Sequence, residues 1–329
     1  MSSLRWLTVA GLVAALGVAG CGADAPGDAG PGDQPTGRFK VVTTVAPITD
    51  IVARVAGDEV EVVGIVPPGT NSHTFEPGPS VAREVADARL FIANGLFLEE
   101  PSIELAEANL PADGEIVTLA DRVVTEDEWV FDFSFPAEDG LPNPHLWTSP
   151  PLAAQYAQIV AEELSRVDPA GAAGYQQRYE ALADEFDALD QAIMEAVATV
   201  PESNRKLVTY HDSFPYFAPR YRFEIIAAIQ PADFSEPSAA EVARLIDQIR
   251  AEQVPAIFGS EVFPSDVLSQ IAAETGAAYV EDLRDDELPG SPGDPGHSYT
   301  GMMVFNVRTI VDALGGDSSP LDAVDPSRG

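Results

Sequence analysis

Cysteine and histidine are scarce in this sequence. Of its 329 residues, one is cysteine (Cys21) and four are histidine. The chain after Cys21 therefore cannot form a disulfide and has no thiolate ligand. A metal site there would have to use histidine, aspartate, glutamate or water. Stability has to come from an apolar core, which a chain of this length can bury.

Positive charge is also scarce, with 18 lysines and arginines against 53 aspartates and glutamates. The formal net charge of −35 repels nucleic acid and anionic lipid surfaces, so neither is expected as a partner. It attracts cations. An acidic surface equally serves solubility, so the charge alone gives only weak support for a cation-binding function.

No apolar run is long enough to span a membrane as a mature helix. The run Leu7–Ala19 follows a short basic start and precedes Gly20 and Cys21, which is typical of a secretory signal over residues 1–20. Val-Ala-Gly-Cys, ending at Cys21, resembles a bacterial lipobox, in which the cysteine becomes the lipidated first residue. An ordinary signal peptide with a chance cysteine is the alternative. We expect an extracytoplasmic protein, lipid-anchored to the cell membrane.

Buried β-branched segments alternate with short helical patterns along the chain, which predicts an α/β fold with mainly parallel sheets. Between Tyr175 and Val200, apolar residues recur in steps of three and four, which indicates one long helix rather than a coiled-coil seam. The predicted organisation is two α/β lobes joined by this backbone helix. The segments are a Gly- and Pro-rich tether (21–37), an N-terminal lobe (38–168), the linking helix (169–202), a C-terminal lobe (203–315) and a disordered tail (316–329).

Three histidines lie where a metal site in such a fold would need them. Ligands of open α/β sheets collect beyond the carboxyl ends of strands. His73 and His211 follow predicted strands, and His145 lies in the loop before a helix. Asp282 ends a predicted strand, although Glu281, Asp285 and Asp286 compete with it. If the lobes face each other by their strand ends, His73 and His145 meet His211 and a carboxylate.

Several candidates have a second interpretation. A histidine in a loop can be an ordinary polar residue. Glu261 ends a predicted strand, and it could be an acceptor that orients a ligating histidine. His297 could be an accessory capture ligand, although a solvated loop residue is favoured. The long irregular stretch from 125 to 143 is acidic and carries four aromatic side chains, which are expected to pack the loop rather than form a substrate platform: Trp129, Phe131, Phe133 and Phe135.

Three motifs carry a resemblance to a known family. They are Gly-x-x-x-His-Thr-Phe-Glu-Pro around His73, Asn-Pro-His-Leu-Trp around His145 and Tyr-His-Asp-Ser-Phe around His211. In this order they resemble the cluster A-I solute-binding proteins of zinc and manganese ABC importers. The resemblance implies class III periplasmic-binding-protein architecture with one divalent ion between the lobes. It assigns His73, His145, His211 and Asp282 as ligands.

The resemblance also implies a function. The protein is expected to capture Zn²⁺, with Mn²⁺ as the alternative, and to deliver it to a membrane permease as a monomer and not an enzyme. The His-rich loop of many zinc-specific members is absent, since the stretch from 125 to 143 contains no histidine. Two alternatives are a zinc-dependent hydrolase and a metal-binding surface adhesin of the same fold. A hydrolase needs an open metal position for water, and no His-Glu-x-x-His segment occurs.

Overall fold

The computed structural model describes residues 38–232, 234–262 and 266–327, without the side chains of Glu281 and Asp282. The predicted signal and tether, with Cys21, lie outside this part of the chain. Eight strands occur in the described ranges: β1 Phe39–Thr43, β2 Val60–Gly64, β3 Ala88–Ala93, β4 Glu115–Thr118, β5 Lys206–Thr209, β6 Glu224–Ala228, β7 Ala256–Ser260 and β8 Ala278–Leu283.

Helices alternate with these strands. In the first half they are α1 Ala46–Ala56, α2 Pro79–Ala86, α3 Glu100–Asn109, α4 Ala120–Val123, α5 Pro150–Val167 and α6 Ala172–Ala198. In the second half they are α7 Phe217–Arg220, α8 Ala239–Glu252, α9 Asp266–Thr275 and α10 Tyr299–Ala313. None of the helices in the described ranges is both long and apolar enough to cross a membrane.

The strands form two four-stranded sheets with the same connectivity. The orders are β2-β1-β3-β4 and β6-β5-β7-β8, and every neighbouring pair is parallel. In each sheet the chain reverses its direction of travel after the second strand, which creates a switch point between β1 and β3 and another between β5 and β7. The predicted fold of two parallel α/β lobes is confirmed.

The lobes are held together by a shared layer of helices. α6 packs along α5 and α1, and α10 returns from the second lobe to contact both α1 and α6. One buried cluster contains side chains from both lobes, for example Val41, Phe186 and Met302. The Tyr299 N–H donates to Asp50 Oδ2 at 2.8 Å. The interior between the lobes is therefore continuous with the core of the first lobe.

The C-terminal segment differs from its prediction. Residues 316–327 were expected to be disordered from their small, polar composition, but Ser319–Ala323 forms a short 3-10 helix against α6. Leu321 is buried there, and the Asp317 N–H donates to Thr199 Oγ1 at 2.7 Å. The segment is ordered because Leu321 and Val324 pack against the core and hydrogen bonds such as this one hold its backbone.

Candidate metal site

Three histidine side chains meet between the lobes. His73 lies in the turn Ser72–Thr74 after β2, His145 lies in the loop before α5, and His211 follows closely after β5. The Nε2 atoms of His73 and His145 are 3.2 Å apart, and those of His145 and His211 are 3.0 Å apart. The fold therefore brings together the three histidines that the sequence singled out.

A carboxylate from the second lobe lies beside the cluster, although the group of ligand atoms within 4.8 Å of one another contains, among the residues described, only the three histidines. Asp285 Oδ2 lies 3.3 Å from His211 Nε2 and 3.8 Å from His145 Nε2. This oxygen is buried, and no hydrogen-bond donor reaches it in the described part of the chain. The resemblance assigned this role to Asp282, which lies inside β8 and whose side chain is outside the description. Asp285, one of its competitors, follows the end of β8.

The outer nitrogens of two histidines are bound to amide oxygens. His145 Nδ1 lies 2.7 Å from Asn143 Oδ1, and His211 Nδ1 lies 2.7 Å from Gln230 Oε1. An amide oxygen can only accept, so each Nδ1 carries the hydrogen and each Nε2 is left with a lone pair. Neighbouring Nε2 atoms that both carry lone pairs repel each other, and a bound cation removes this repulsion.

Burial sets the charge of the clustered side chains. It lowers the pKa values of His73 and His145 well below the usual histidine range, and nearby histidines lower them further. Burial also lowers the pKa of His211. For Asp285, burial and the neighbouring Asp286 raise the pKa well above its usual range. The histidines are thus held in the neutral form that binds metal.

Glu261 supports the carboxylate side of the cluster. Its Oε1 accepts from the backbone N–H groups of Asp285, Asp286 and Glu287, at 3.0, 3.3 and 3.3 Å. Burial, Asp285 and Asp286 raise the pKa of Glu261 well above its usual range. By gathering three amides, this side chain fixes the turn that presents Asp285. These hydrogen bonds indicate that Glu261 supports the turn that carries Asp285 and does not contact the histidines.

His297 lies apart from the three-histidine cluster. Its Nδ1 is 3.0 Å from the carbonyl oxygen of Pro289, and the half-buried side chain lines a separate surface cavity that also contains Asp50 and Arg54. The group of potential ligand atoms found in the described residues does not include it. The local contact with Pro289 gives His297 a structural role in the loop before α10.

Direct hydrogen bonds close the lobes over the cluster. The backbone N–H and the hydroxyl of Ser72 donate to the Asp286 carboxylate at 3.1 and 3.0 Å. Asn143 Nδ2 donates to the carbonyl oxygen of Asp212 at 2.6 Å. Since Asn143 also holds His145, the position of this histidine is tied to the second lobe.

Two supporting residues were missed from the sequence. Asn143 stands two residues before His145 in the Asn-Pro-His motif. The sequence therefore shows that the two residues are close, but not that Asn143 orients the imidazole. Gln230 lies 19 residues from His211 and reaches it only because β5 and β6 are neighbours in the sheet. The contact between Gln230 and His211 therefore depends on tertiary strand pairing and could not be predicted from the sequence.

Known proteins of similar sequence bind transition metals. The manganese-binding lipoprotein MntA of Halalkalibacterium halodurans is 29% identical over 304 residues, which cover 92% of this chain and 96% of that protein. The iron-binding protein YfeA of Yersinia pestis is 30% identical over 278 residues, which cover 84% of this chain and 87% of that protein.

The fold has a solved counterpart. The periplasmic zinc-binding protein TroA of Treponema pallidum matches with a TM-score of 0.76 at 28% identity, covering 84% of this chain and 99% of that chain. A family profile described as "ZnuA: Zinc-uptake complex component A periplasmic" matches residues 41–313. The chain belongs to this family of extracytoplasmic solute-binding proteins, which capture metal for ABC transporters and are not enzymes.

Proposed function

We propose that this protein captures one Zn²⁺ with His73, His145, His211 and Asp285 and delivers it to the permease of an ABC importer. The observation that carries the proposal is the convergence of three imidazole nitrogens and one unpaired carboxylate oxygen, separated by 3.0–3.8 Å along the four closest contacts. Tetrahedral ligands with zinc bonds of about 2.0–2.2 Å lie about 3.3–3.6 Å from one another. The separations between the histidine nitrogens and from His211 to Asp285 are close to these dimensions, and the 3.8 Å from His145 to Asp285 is longer.

Two matched variants test the carboxylate. Asp285→Asn removes the negative ligand with little change of volume, and Asp282→Asn makes the same change three residues earlier. We expect Asp285→Asn to weaken Zn²⁺ binding by more than the roughly 10–100-fold cost of losing an outer partner, and Asp282→Asn to change it less than about threefold. Competition with a chelator of known affinity measures both. The reverse ranking would assign the site to Asp282.

Zinc is favoured over manganese by the donor set. Three nitrogens and one oxygen suit four-coordinate zinc, whereas manganese prefers more carboxylate and other oxygen ligands. The names of similar proteins include manganese, iron and zinc. Divalent zinc outranks manganese at almost any such site, so binding strength in vitro does not decide the physiological metal.

The physiological metal is tested in the host. We expect protein isolated from the native host to contain zinc, and a deletion strain to fail under zinc limitation and recover with added zinc. Rescue by manganese but not by zinc would overturn the choice. His211→Glu supplies an extra carboxylate, and it is expected to shift the preference toward manganese.

We infer that the chain acts as a monomer anchored through a lipid on Cys21. The lipobox-like sequence and the Gly- and Pro-rich residues 22–37 support this anchor. Cys21→Ser is expected to move the protein from the membrane fraction to the soluble extracytoplasmic fraction, with Zn²⁺ affinity unchanged. Retention of Cys21→Ser in the membrane fraction would contradict the lipid anchor.

A further inference from the structure

Large exposed apolar side chains collect on one part of the first lobe. In the described residues they are Phe97, Phe131, Phe133 and Leu141, which are 36–47% exposed. The half-buried Trp129 connects two of them, with its ring 6.1 Å from that of Phe97 and 6.4 Å from that of Phe131. These five residues are called the apolar rim below. The aromatic stretch thus only partly packs its own loop, contrary to the sequence interpretation.

The local backbone turns these side chains outward. Phe97 has φ +64°, a left-handed conformation that costs a bulky residue free energy, while its neighbours Leu96 and Leu98 are buried. After Trp129, Asp132 lies near Asn143, whereas Phe131 and Phe133 on either side of it are exposed. Because this backbone conformation costs free energy and exposes an aromatic ring, it indicates that the ring contacts a binding partner.

The rim borders the metal cluster. Phe97 and Leu141 line a cavity of about 150 Å³ that His73 also lines. No lysine or arginine occurs between residues 123 and 165, while Glu126, Asp127 and Glu128 are exposed beside the rim. A second copy of the chain or an anionic lipid would be repelled there. The matching partner is a protein face with an apolar centre and basic surroundings.

We propose that the apolar rim docks on the extracytoplasmic face of the permease. This rests on the proposed function, which requires the metal to pass from the cluster to that partner. Docking at the rim would place the partner over the cavity beside His73. The acidic flank would orient the complex, and the rings would supply the desolvated contacts.

The double variant Phe131→Ser/Phe133→Ser tests the docking, and Phe131→Leu/Phe133→Leu is its apolar control. In a deletion strain, uptake of radioactive Zn²⁺ is expected to fall more than about fivefold with the serine variant and less than twofold with the leucine variant. Both purified variants should bind Zn²⁺ within twofold of wild type. Normal uptake with the serine variant would overturn the proposal.

Two further results would assign the rim to another partner. In the first, the wild type binds phosphatidylglycerol vesicles and the serine variant does not. In the second, the wild type self-associates in sedimentation and the serine variant does not. A serine variant that loses Zn²⁺ affinity would make the rim part of the metal site. A wild-type chain that binds Zn²⁺ but restores no uptake would refute the proposed function itself, and the docking with it.

A separate observation concerns His73. It is half-buried, unlike the other two histidines, and its Nδ1 has no hydrogen-bond partner in the described part of the chain. Aromatic rings flank it instead. Phe234 of the second lobe stacks on it with centroids 4.6 Å apart and an interplanar angle of 28°, and Phe135 of the first lobe lies at 5.5 Å. His73 is the least constrained of the three histidines.

From this asymmetry we infer that His73 is the ligand that exchanges first and that Phe234 is its positioning residue. Phe234 is itself held at φ +58°, and it lines the same cavity as His73. Because Phe234 belongs to the second lobe, separating the lobes withdraws the ring and frees the imidazole. The cavity then gives the ion its path out.

Phe234→Ala tests this clamp against Phe234→Tyr, which keeps the ring. In a chelator chase, Zn²⁺ is expected to leave Phe234→Ala roughly three- to tenfold faster than wild type, and to leave Phe234→Tyr within twofold. Phe133→Ala, which removes an exposed ring away from His73, should leave the rate unchanged. Equal rates for wild type and Phe234→Ala would refute the clamp. The clamp would also be refuted if Zn²⁺ left Phe133→Ala as fast as Phe234→Ala. The same holds if metal-free Phe234→Ala melted at a lower temperature while its rate of Zn²⁺ release stayed unchanged.

Discussion

Asn143 allows a quantitative test of how the cluster is oriented. Its Oδ1 accepts from His145 Nδ1 at 2.7 Å and from the His145 backbone N–H at 3.1 Å, and all these groups are buried. Asn143→Leu keeps the volume and removes the acceptor. A buried donor left without a partner costs about 1–3 kcal/mol. Loss of an outer partner of a ligating histidine weakens metal binding about 10–100-fold, which is about 1.4–2.7 kcal/mol.

The unpaired donor costs stability with and without metal, so the Kd follows the second estimate, and Asn143→Leu is expected to raise the Kd for Zn²⁺ about 10–100-fold in a chelator competition. Asn109→Leu is the control, because Asn109 is exposed and bonds only within its own helix. Gln230→Leu removes the acceptor of His211 without breaking the link from Asn143 to Asp212, and about tenfold weakening is expected. A Kd within threefold of wild type for Asn143→Leu would refute the orienting role. If Asn143→Leu weakens Zn²⁺ binding and Gln230→Leu does not, the effect belongs to the hydrogen bond between Asn143 and Asp212 that links the lobes.

Three further outcomes are expected. Zn²⁺ affinity should rise with pH through the raised pKa of Asp285, because the metal binds the ionised carboxylate and displaces the proton of the protonated form; calorimetry in buffers of different ionisation enthalpy measures the proton release. Tyr299→Phe removes the hydrogen bond to the Trp147 carbonyl and should cost about 1–3 kcal/mol of unfolding free energy in urea, whereas an unchanged midpoint would contradict this. Metal loading should cause only modest movement, since α6 is one continuous helix between the lobes; scattering curves that require a large rotation would refute this.

Regular elements were predictable where local sequence decides them. β5 and β7 are runs of apolar and β-branched residues, which the predicted alternation of strands and helices rests on. β4 gives no such signal, because Glu115–Thr118 contains only two apolar residues. It is a strand because its backbone pairs with β3, which is a tertiary contact.

The histidines were predictable because there are so few, and each stands in a distinctive motif. The carboxylate was not, because four acidic residues lie between 281 and 286 and a pattern cannot say which side chain faces the other lobe. β8 runs on to Leu283, and Glu261 gathers the backbone N–H groups of Asp285, Asp286 and Glu287 around one of its oxygens. The position of Asp285 is therefore fixed by a residue 24 positions away.

The return of α10 to the first lobe has a consequence for how the chain matures. Tyr299 and Asp50 are separated by 249 residues in sequence, yet their hydrogen bond lies within the shared core. The first lobe cannot complete its interior until nearly the whole polypeptide has been synthesised. Long loop closure of this kind slows folding. Completion of the core of the first lobe is therefore expected to be a late step in folding.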